Sequence, residues 1–120
     1  MEPISAAIVA AVAKLAEPGI RDAYNALKIV IKRKFGAKHE VVDAVEAVES
    51  HPDSAGRAAT LNEEVVKAGA QTDAEVLAAT QALMKALEAQ PGGTRIVQNV
   101  KGNHNVVAAR DANVNFGPKN

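Results

Sequence analysis

The sequence predicts an all-α protein, a small helical bundle of four to five short helices, followed by a C-terminal tail of a different kind. Apolar residues recur at helical spacing through residues 1–90, short turns separate the periodic segments, and no strand pattern alternates with a helix pattern. A Pro-Gly-Gly sequence then ends the last helix, because proline breaks a helix and paired glycines form a flexible joint. We therefore expect a helical bundle at 1–90, a linker at 91–93, a tail motif at 94–117 and terminal residues at 118–120.

The first predicted helix is the most apolar segment of the chain. It runs from about Pro3, a favourable first helical position, to Glu17, where a Pro-Gly pair follows. Ser5 is the only polar side chain within residues 4–13. Val9 lies beside an apolar stripe formed by Ile4, Ile8, Val12 and Leu15. A helix that is apolar on nearly all sides is most often buried in a core.

Three further helices are predicted at about residues 20–35, 38–50 and 53–68, of which the last is the weakest. Gly36 and Gly69 are expected to end the second and the fourth helix. Each helix carries an apolar stripe: Ile20, Tyr24, Leu27 and Ile31 in the second, Val41, Val45 and Val48 in the third, and Leu61 and Val65 in the fourth.

The fifth predicted helix opens with a capping box. Thr72 and Glu75 have the spacing at which a hydroxyl and a carboxylate satisfy the free amides of a helix start reciprocally. Its stripe consists of Val76, Thr80, Leu83 and Leu87, with Leu77 and Met84 alongside. Because aromatic residues make up only 2% of the chain, we expect a thin core of small aliphatic side chains and marginal stability.

No constellation of residues in the sequence is typical of an enzyme. The absence of cysteine excludes a disulfide, a thiolate zinc site and a cysteine nucleophile. The three histidines, His39, His51 and His104, do not have a metal-binding spacing. The carboxylate pairs Glu63–Glu64 and Glu46–Glu49 are expected on solvent-facing surfaces. We therefore expect no catalysis, no cofactor, no bound metal and no small-molecule substrate.

Charge and hydropathy predict a soluble, cytoplasmic resting protein. Net charge is −3 over residues 1–90 and +3 over residues 91–120, and neither part is basic enough to indicate a nucleic-acid partner. No basic segment precedes the apolar start of the chain, so a secretory signal is not expected. No run of apolar residues reaches the roughly 18 that a membrane-spanning helix requires.

The tail has the pattern of short strands. Asn-Val recurs at residues 99–100, 105–106 and 113–114, and residues 112–116 alternate between apolar and polar. Strands this short are not stable alone in water, but copies stacked in register pair their backbones and form amide ladders. We therefore expect a tail that is disordered in the monomer and cross-β when assembled. The competing interpretation is a disordered terminus without further function.

Part of the tail resembles bacterial amyloid signalling sequences. The run NVKGNHNVVAARDANVN at residues 99–115 has their Asn-, Gly- and Val-rich composition and internal pseudo-repeat. Residues 100–107 are similar to the core of the RHIM (RIP homotypic interaction motif), although a Val-Gln pair lies one residue further from the glycine. The resemblance implies these motif residues: Val97, Gln98, Asn99, Val100, Gly102, Asn105, Val106, Val107, Arg110, Asp111, Asn113, Val114, Asn115 and Phe116.

A small helical domain followed by such a tail resembles the bacterial Bell-domain effectors, which are similar to fungal HeLo-type death effectors. This resemblance implies an executioner of regulated cell death. A nucleotide-binding, NLR-like receptor with a matching motif would template the tail into amyloid, and the partners would be copies of the chain, the receptor and membrane lipids. The effector would then act at the inner face of the cell membrane.

Two features of the bundle fit a membrane role. Clustered copies would insert the apolar helix through Ile4, Ile8, Val9, Val12 and Leu15. A basic cluster at the end of the second helix would meet anionic headgroups through Lys28, Lys32, Arg33, Lys34 and Lys38. Burial in the core is the alternative explanation of the first feature, and the helix dipole is the alternative explanation of the second. The alternative function is a non-enzymatic adaptor whose bundle binds a protein and whose tail mediates assembly.

Overall fold

The computed structural model describes residues 1–91, which fold into five α-helices and one 3₁₀ turn. The α-helices are α1 (Pro3–Val12), α2 (Pro18–Phe35), α3 (Glu40–Ser50), α4 (Ala55–Ala68) and α5 (Ala74–Glu88), and the 3₁₀ turn is Ala70–Thr72. Residues 1–91 contain no strand, so the predicted all-α bundle is confirmed. The predicted tail motif and most of the linker lie outside the described residues.

Helix α1 occupies the middle of the bundle. It contacts each of the other four helices, whereas α2 packs mainly against α5, and α3 mainly against α4. The bundle is therefore built from two helix pairs that enclose α1, and α2 also contacts α3. This position suits the composition of α1, because a helix that is apolar on nearly all sides must be covered on nearly all sides.

The predicted stripes form the core. All thirteen stripe residues of α2 to α5 are buried, and α1 adds a further group of small and branched side chains. The polar Thr80 is 2% exposed, and its hydroxyl donates a 2.8 Å hydrogen bond to the Val76 carbonyl, so that its burial leaves no unsatisfied group. Aliphatic side chains and alanine supply nearly all of this core, as the composition predicts.

The predicted end of the first helix is wrong. Helix α1 ends at Val12, and residues 13–17 form turns in which the Lys14 amide donates to the Ala11 carbonyl and the Glu17 amide to the Lys14 carbonyl. Beyond Val12 the chain has to leave the core to reach the start of α2, so the exposed Ala13 and Lys14 find no apolar surface to cover. Of the predicted stripe, Leu15 is the residue that lies outside the helix.

The starts of α2, α3 and α4 differ by two residues from the prediction, for local reasons. Helix α2 begins at Pro18, where the fixed backbone of proline suits a first helical position. The His39 ring accepts a hydrogen bond from the Val41 amide, which caps α3, and the Ser54 hydroxyl accepts one from the Arg57 amide, which caps α4. The predicted ends at Gly36 and Gly69 are confirmed.

The predicted capping box of α5 is also wrong. Asp73, not Thr72, is the capping residue, and its carboxylate accepts hydrogen bonds from the amides of Glu75 and Val76 at 2.9 and 3.0 Å. The Thr72 hydroxyl instead donates to the Gly69 carbonyl at 2.7 Å, within the 3₁₀ turn. The turn moves the helix start by one residue, and a charged cap is also favoured by the helix dipole.

Candidate functional site

The apolar residues predicted to enter a membrane lie on α1 or directly after it, and most of them are buried. Ile4, Ile8 and Val12 are 0, 1 and 8% exposed, whereas Val9 and Leu15 are partly buried. The five side chains therefore do not form one exposed apolar surface. In this state of the protein Ile4, Ile8 and Val12 are covered by the other helices.

The start of α1 is held by a group of polar residues that sequence reasoning missed. The Glu2 carboxylate accepts hydrogen bonds from the amides of Ile4 (3.0 Å) and Ser5 (2.5 Å), and from the Ser5 hydroxyl (2.6 Å). The Glu2 amide donates to the side-chain oxygen of Asn62 in α4 at 2.9 Å. We call Glu2, Ser5 and Asn62 the N-terminal latch. Pro3 is a sequence signal for the helix start, but nothing local indicates the cap by Glu2 or the contact with Asn62.

The latch explains how a polar residue is tolerated in the centre of the bundle. Ser5 is 0% exposed, and an unpaired buried hydroxyl would cost about 1–3 kcal/mol. The Glu2 carboxylate removes this cost and caps the helix at the same time. Helix α1 is thus held by polar contacts at its start and by apolar contacts along its length.

Moving α1 into water would be unfavourable. Complete burial of a large aliphatic side chain contributes about 1.5–3 kcal/mol, and Ile4, Ile8 and Val12 all benefit from it. A second apolar environment would compensate for this loss, whereas water would not. Removal of α1 from the bundle is therefore costly unless another apolar phase or another apolar surface receives it.

The basic residues at the end of α2 do not form one free cationic surface. Lys28 pairs with Glu49 of α3 at 2.7 Å, Lys34 pairs with Glu75 and Asp73 at 3.2 and 3.7 Å, and Arg33 also pairs with Glu75. Within residues 1–91, Lys32 and Lys38 contact no carboxylate at ion-pair distance. The predicted basic cluster is thus divided between paired and unpaired cations.

Glu49 corrects a further expectation, because it does not simply face solvent. Its carboxylate accepts a 2.5 Å hydrogen bond from the Tyr24 hydroxyl in addition to the Lys28 ion pair, so it joins α2 to α3. Tyr24 is 2% exposed, and this burial, together with the Glu49 carboxylate and the nearby Glu46, raises the pKa of Tyr24 above its ordinary value of 10. The neutral phenol is therefore part of the folded structure.

This shift predicts a loss of stability in alkali. The pKa of Tyr24 in the folded protein lies above the unfolded value of 10. The contribution of Tyr24 to the free energy of unfolding is therefore complete below about pH 10 and decreases as the pH rises beyond it. We expect Tyr24→Phe to lower the free energy of unfolding by about 1 kcal/mol near neutral pH. Between about pH 9 and 11, urea unfolding should show a smaller further loss in the variant than in the unchanged protein. Equal losses would contradict the assignment.

The remaining candidate residues do not come together. Within residues 1–91 no three acidic or histidine side chains are close enough to hold a metal ion. His39 caps α3, and His51 follows its end. No helix in the same part of the chain has the length and apolar character needed to cross a membrane. The predicted amyloid residues, from Val97 to Phe116, lie outside the described residues.

The fold and the site define a small all-α domain that encloses a short apolar helix within two helix pairs. A model of the Het-E N-terminal domain family matches residues 1–120, and the chain belongs to this family. The family is linked to the HeLo-type cell-death domains of fungi, which act in cell death and not as enzymes, so the HeLo-like part of the predicted resemblance is supported. No curated protein and no solved structure matches the chain.

Proposed function

We propose that this HeLo-like domain executes regulated cell death by permeabilising a membrane, and that assembly of its C-terminal tail triggers it. The enclosed position of α1 carries the proposal. Four other helices cover Ile4 and Ile8 of α1, which keeps these apolar side chains out of water in the resting protein. In the proposal, activation exposes them to the membrane. In this proposal the effector is a bacterial, Bell-type protein that rests in the cytoplasm and acts at the inner face of the cell membrane.

The length of α1 limits how it can act. Its 10 residues correspond to roughly 15 Å, about half the thickness of the hydrocarbon core of a bilayer. A single copy therefore lies in the interface or enters it obliquely, and a pore needs many copies. Clustering makes each further membrane contact intramolecular, which raises avidity by ~10²–10⁴. A trigger that assembles copies fits this requirement.

The tail supplies the clustering step in this proposal. Its Asn-Val repeats favour in-register stacking of identical chains, with valines in a dry interface and asparagines in amide ladders. An NLR-like receptor with a matching motif would provide the first template. The family match extends over the tail as well as the bundle, which supports treating the two as parts of one effector.

An adaptor is the second candidate function, and the exposed apolar residues of the bundle favour it. Ile29 of α2 is 61% exposed and Val66 of α4 is 47% exposed, and such side chains suit a protein partner. In the adaptor the tail would assemble in the same way, α1 would remain enclosed, and no membrane step would occur.

Dye leakage from anionic vesicles tests the proposal. Protein of residues 1–120 should release dye when seeded with fibrils grown from a peptide of residues 94–117. Val106→Pro combined with Val114→Pro should reduce leakage to the unseeded level, because proline breaks a stacked strand. Lys119→Pro, outside the predicted motif, is the matched control and should leak like the unchanged protein.

Three results of this experiment would count against the proposal. Seeded assembly without leakage would favour the adaptor. A peptide that stays monomeric would remove the trigger. Equal leakage from all variants would show that the tail pattern is not needed.

A further inference from the structure

The end of α2 and the start of α5 are joined by a compact group of opposite charges. Arg33 pairs with Glu75, and Lys34 lies 3.2 Å from Glu75 and 3.7 Å from Asp73. We call these four residues the α2–α5 charge cluster. Their side chains are between 26 and 56% exposed, so solvent and dissolved ions reach all of them.

The cluster joins two elements that matter for the enclosed helix. Asp73 caps α5, and Glu75 lies in its first turn. Helix α5 packs against α2 more extensively than against any other helix, and it also covers α1. The buried Val76 follows the cluster directly. The cations of α2 are thus held against the start of a helix that encloses α1.

Two further cations, which have no ion-pair partner among residues 1–91, flank the cluster in the sequence. Lys32 precedes Arg33 in the last turn of α2, and Lys38 follows the end of that helix. Within residues 1–91 neither contacts a carboxylate at ion-pair distance. Four cations therefore lie within seven residues, and two carboxylates from α5 neutralise two of them.

We infer that the Asp73 and Glu75 carboxylates compete with anionic lipid headgroups for the cations at the end of α2. This inference rests on the membrane role proposed above and adds a regulated step to it. Lipid phosphates bind Lys32, Arg33, Lys34 and Lys38 and displace the two carboxylates, so docking on the membrane also separates the end of α2 from the start of α5. Ion pairs this exposed are weak, and several phosphates on one surface replace them where a single soluble phosphate does not.

The replacement of the two carboxylates by lipid phosphates would occur only at a membrane, as an effector requires. Away from a membrane the carboxylates neutralise two of the four cations and link the start of α5 to the end of α2. On an anionic surface all four cations face phosphate, and this exposed link between α2 and α5 is lost. Docking alone leaves the N-terminal latch and the buried side chains of α1 in place, so leakage still requires clustering.

Co-sedimentation with vesicles measures docking separately from leakage. Asp73→Asn combined with Glu75→Gln is expected to increase binding to phosphatidylglycerol vesicles roughly tenfold without any seed. Asparagine at position 73 still caps α5, and circular dichroism should show an unchanged helix content. Arg33→Gln combined with Lys34→Gln should reduce binding below that of the unchanged protein.

The matched control changes net charge by the same amount elsewhere. Glu63→Gln combined with Glu88→Gln removes two exposed carboxylates that form no ion pair within residues 1–91, and it should change binding less than about twofold. An equal increase in vesicle binding by the control variant would show that net charge alone determines binding, and would overturn the inference. Displacement from vesicles by inorganic phosphate at millimolar concentration would also overturn it, because a soluble phosphate would then be the ligand.

The two proposals fail in different ways. If vesicle binding increases when Asp73 and Glu75 are neutralised but no variant shows seeded leakage, the competition for the cations is supported and permeabilisation is contradicted. Seeded leakage with unchanged docking in the Asp73→Asn, Glu75→Gln protein would support permeabilisation and contradict the competition.

Discussion

Ile8→Asp is expected to abolish seeded vesicle leakage, whereas Leu61→Asp is expected to increase it. Both side chains are buried, at 1 and 0% exposed, and an aspartate in either place would lower the free energy of unfolding by more than about 4 kcal/mol. The two variants therefore destabilise the bundle similarly. They differ in which helix carries the charge.

The opposite outcomes follow from the position of each residue. Leu61 belongs to α4, which covers α1, so its substitution loosens the enclosure and leaves the apolar surface of α1 intact. Ile8 belongs to α1 itself, so its substitution releases a helix that can no longer enter an apolar phase. If loss of structure alone decided the outcome, leakage from both variants would change in the same direction.

The measurement is dye release at matched protein concentration, with thermal unfolding recorded in parallel. Ile8→Val is the control for the change in side-chain volume. It should lower the free energy of unfolding by about 0.5–1.5 kcal/mol and leave seeded leakage largely intact. Equal leakage from the two aspartate variants would show that the bundle acts through another helix. Absence of leakage from both would favour the adaptor function.

Covalent attachment of α1 to α4 is the second decisive experiment, and it should abolish seeded leakage. The chain contains no cysteine, so Glu2→Cys combined with Asn62→Cys supplies the only two thiols. The Glu2 amide lies 2.9 Å from the Asn62 side-chain oxygen, which places the two positions within reach of a short reducible bis-thiol crosslinker. Reduction should restore leakage in the same sample.

The crosslink separates release of α1 from every other step. The crosslink attaches to neither the tail nor the end of α2. Within residues 1–91 the cations at the end of α2 make no contact with the latch, so they remain free to bind lipid. Each single-cysteine variant treated with the reagent is a control for modification and should leak at least as much as the unchanged protein, because Glu2→Cys and Asn62→Cys each also remove a contact of the N-terminal latch. Full leakage from the crosslinked protein would contradict the proposed release of α1.

Most of the local structure of the bundle was predictable from residue spacing. The stripes of α2 to α5 are buried as predicted, since a residue's side of a helix depends only on its position along the helix. Gly36 and Gly69 end their helices as predicted, because their positive φ angles of 99° and 72° favour glycine. The amyloid interpretation of the tail stays a prediction.

The errors in the prediction arise where the path of the chain overrides local preference. Residues 13–17 are suitable for a helix, yet α1 ends at Val12 because the chain must turn out of the core toward α2. Thr72 has the spacing of a capping residue, yet the 3₁₀ turn uses its hydroxyl and leaves the cap to Asp73.

The sequence alone determined that this protein is a bundle of short amphipathic helices that begins with one helix apolar on nearly all sides, because helical periodicity is a property of neighbouring residues. Only the tertiary structure decided that α1 is enclosed by two helix pairs, that Asn62 holds its start, and that Glu75 neutralises Arg33. Glu2 and Asn62 are 60 residues apart, and Tyr24 and Glu49 are 25 apart. Contacts at such separations depend on how whole helices pack, so no local spacing in the chain indicates them.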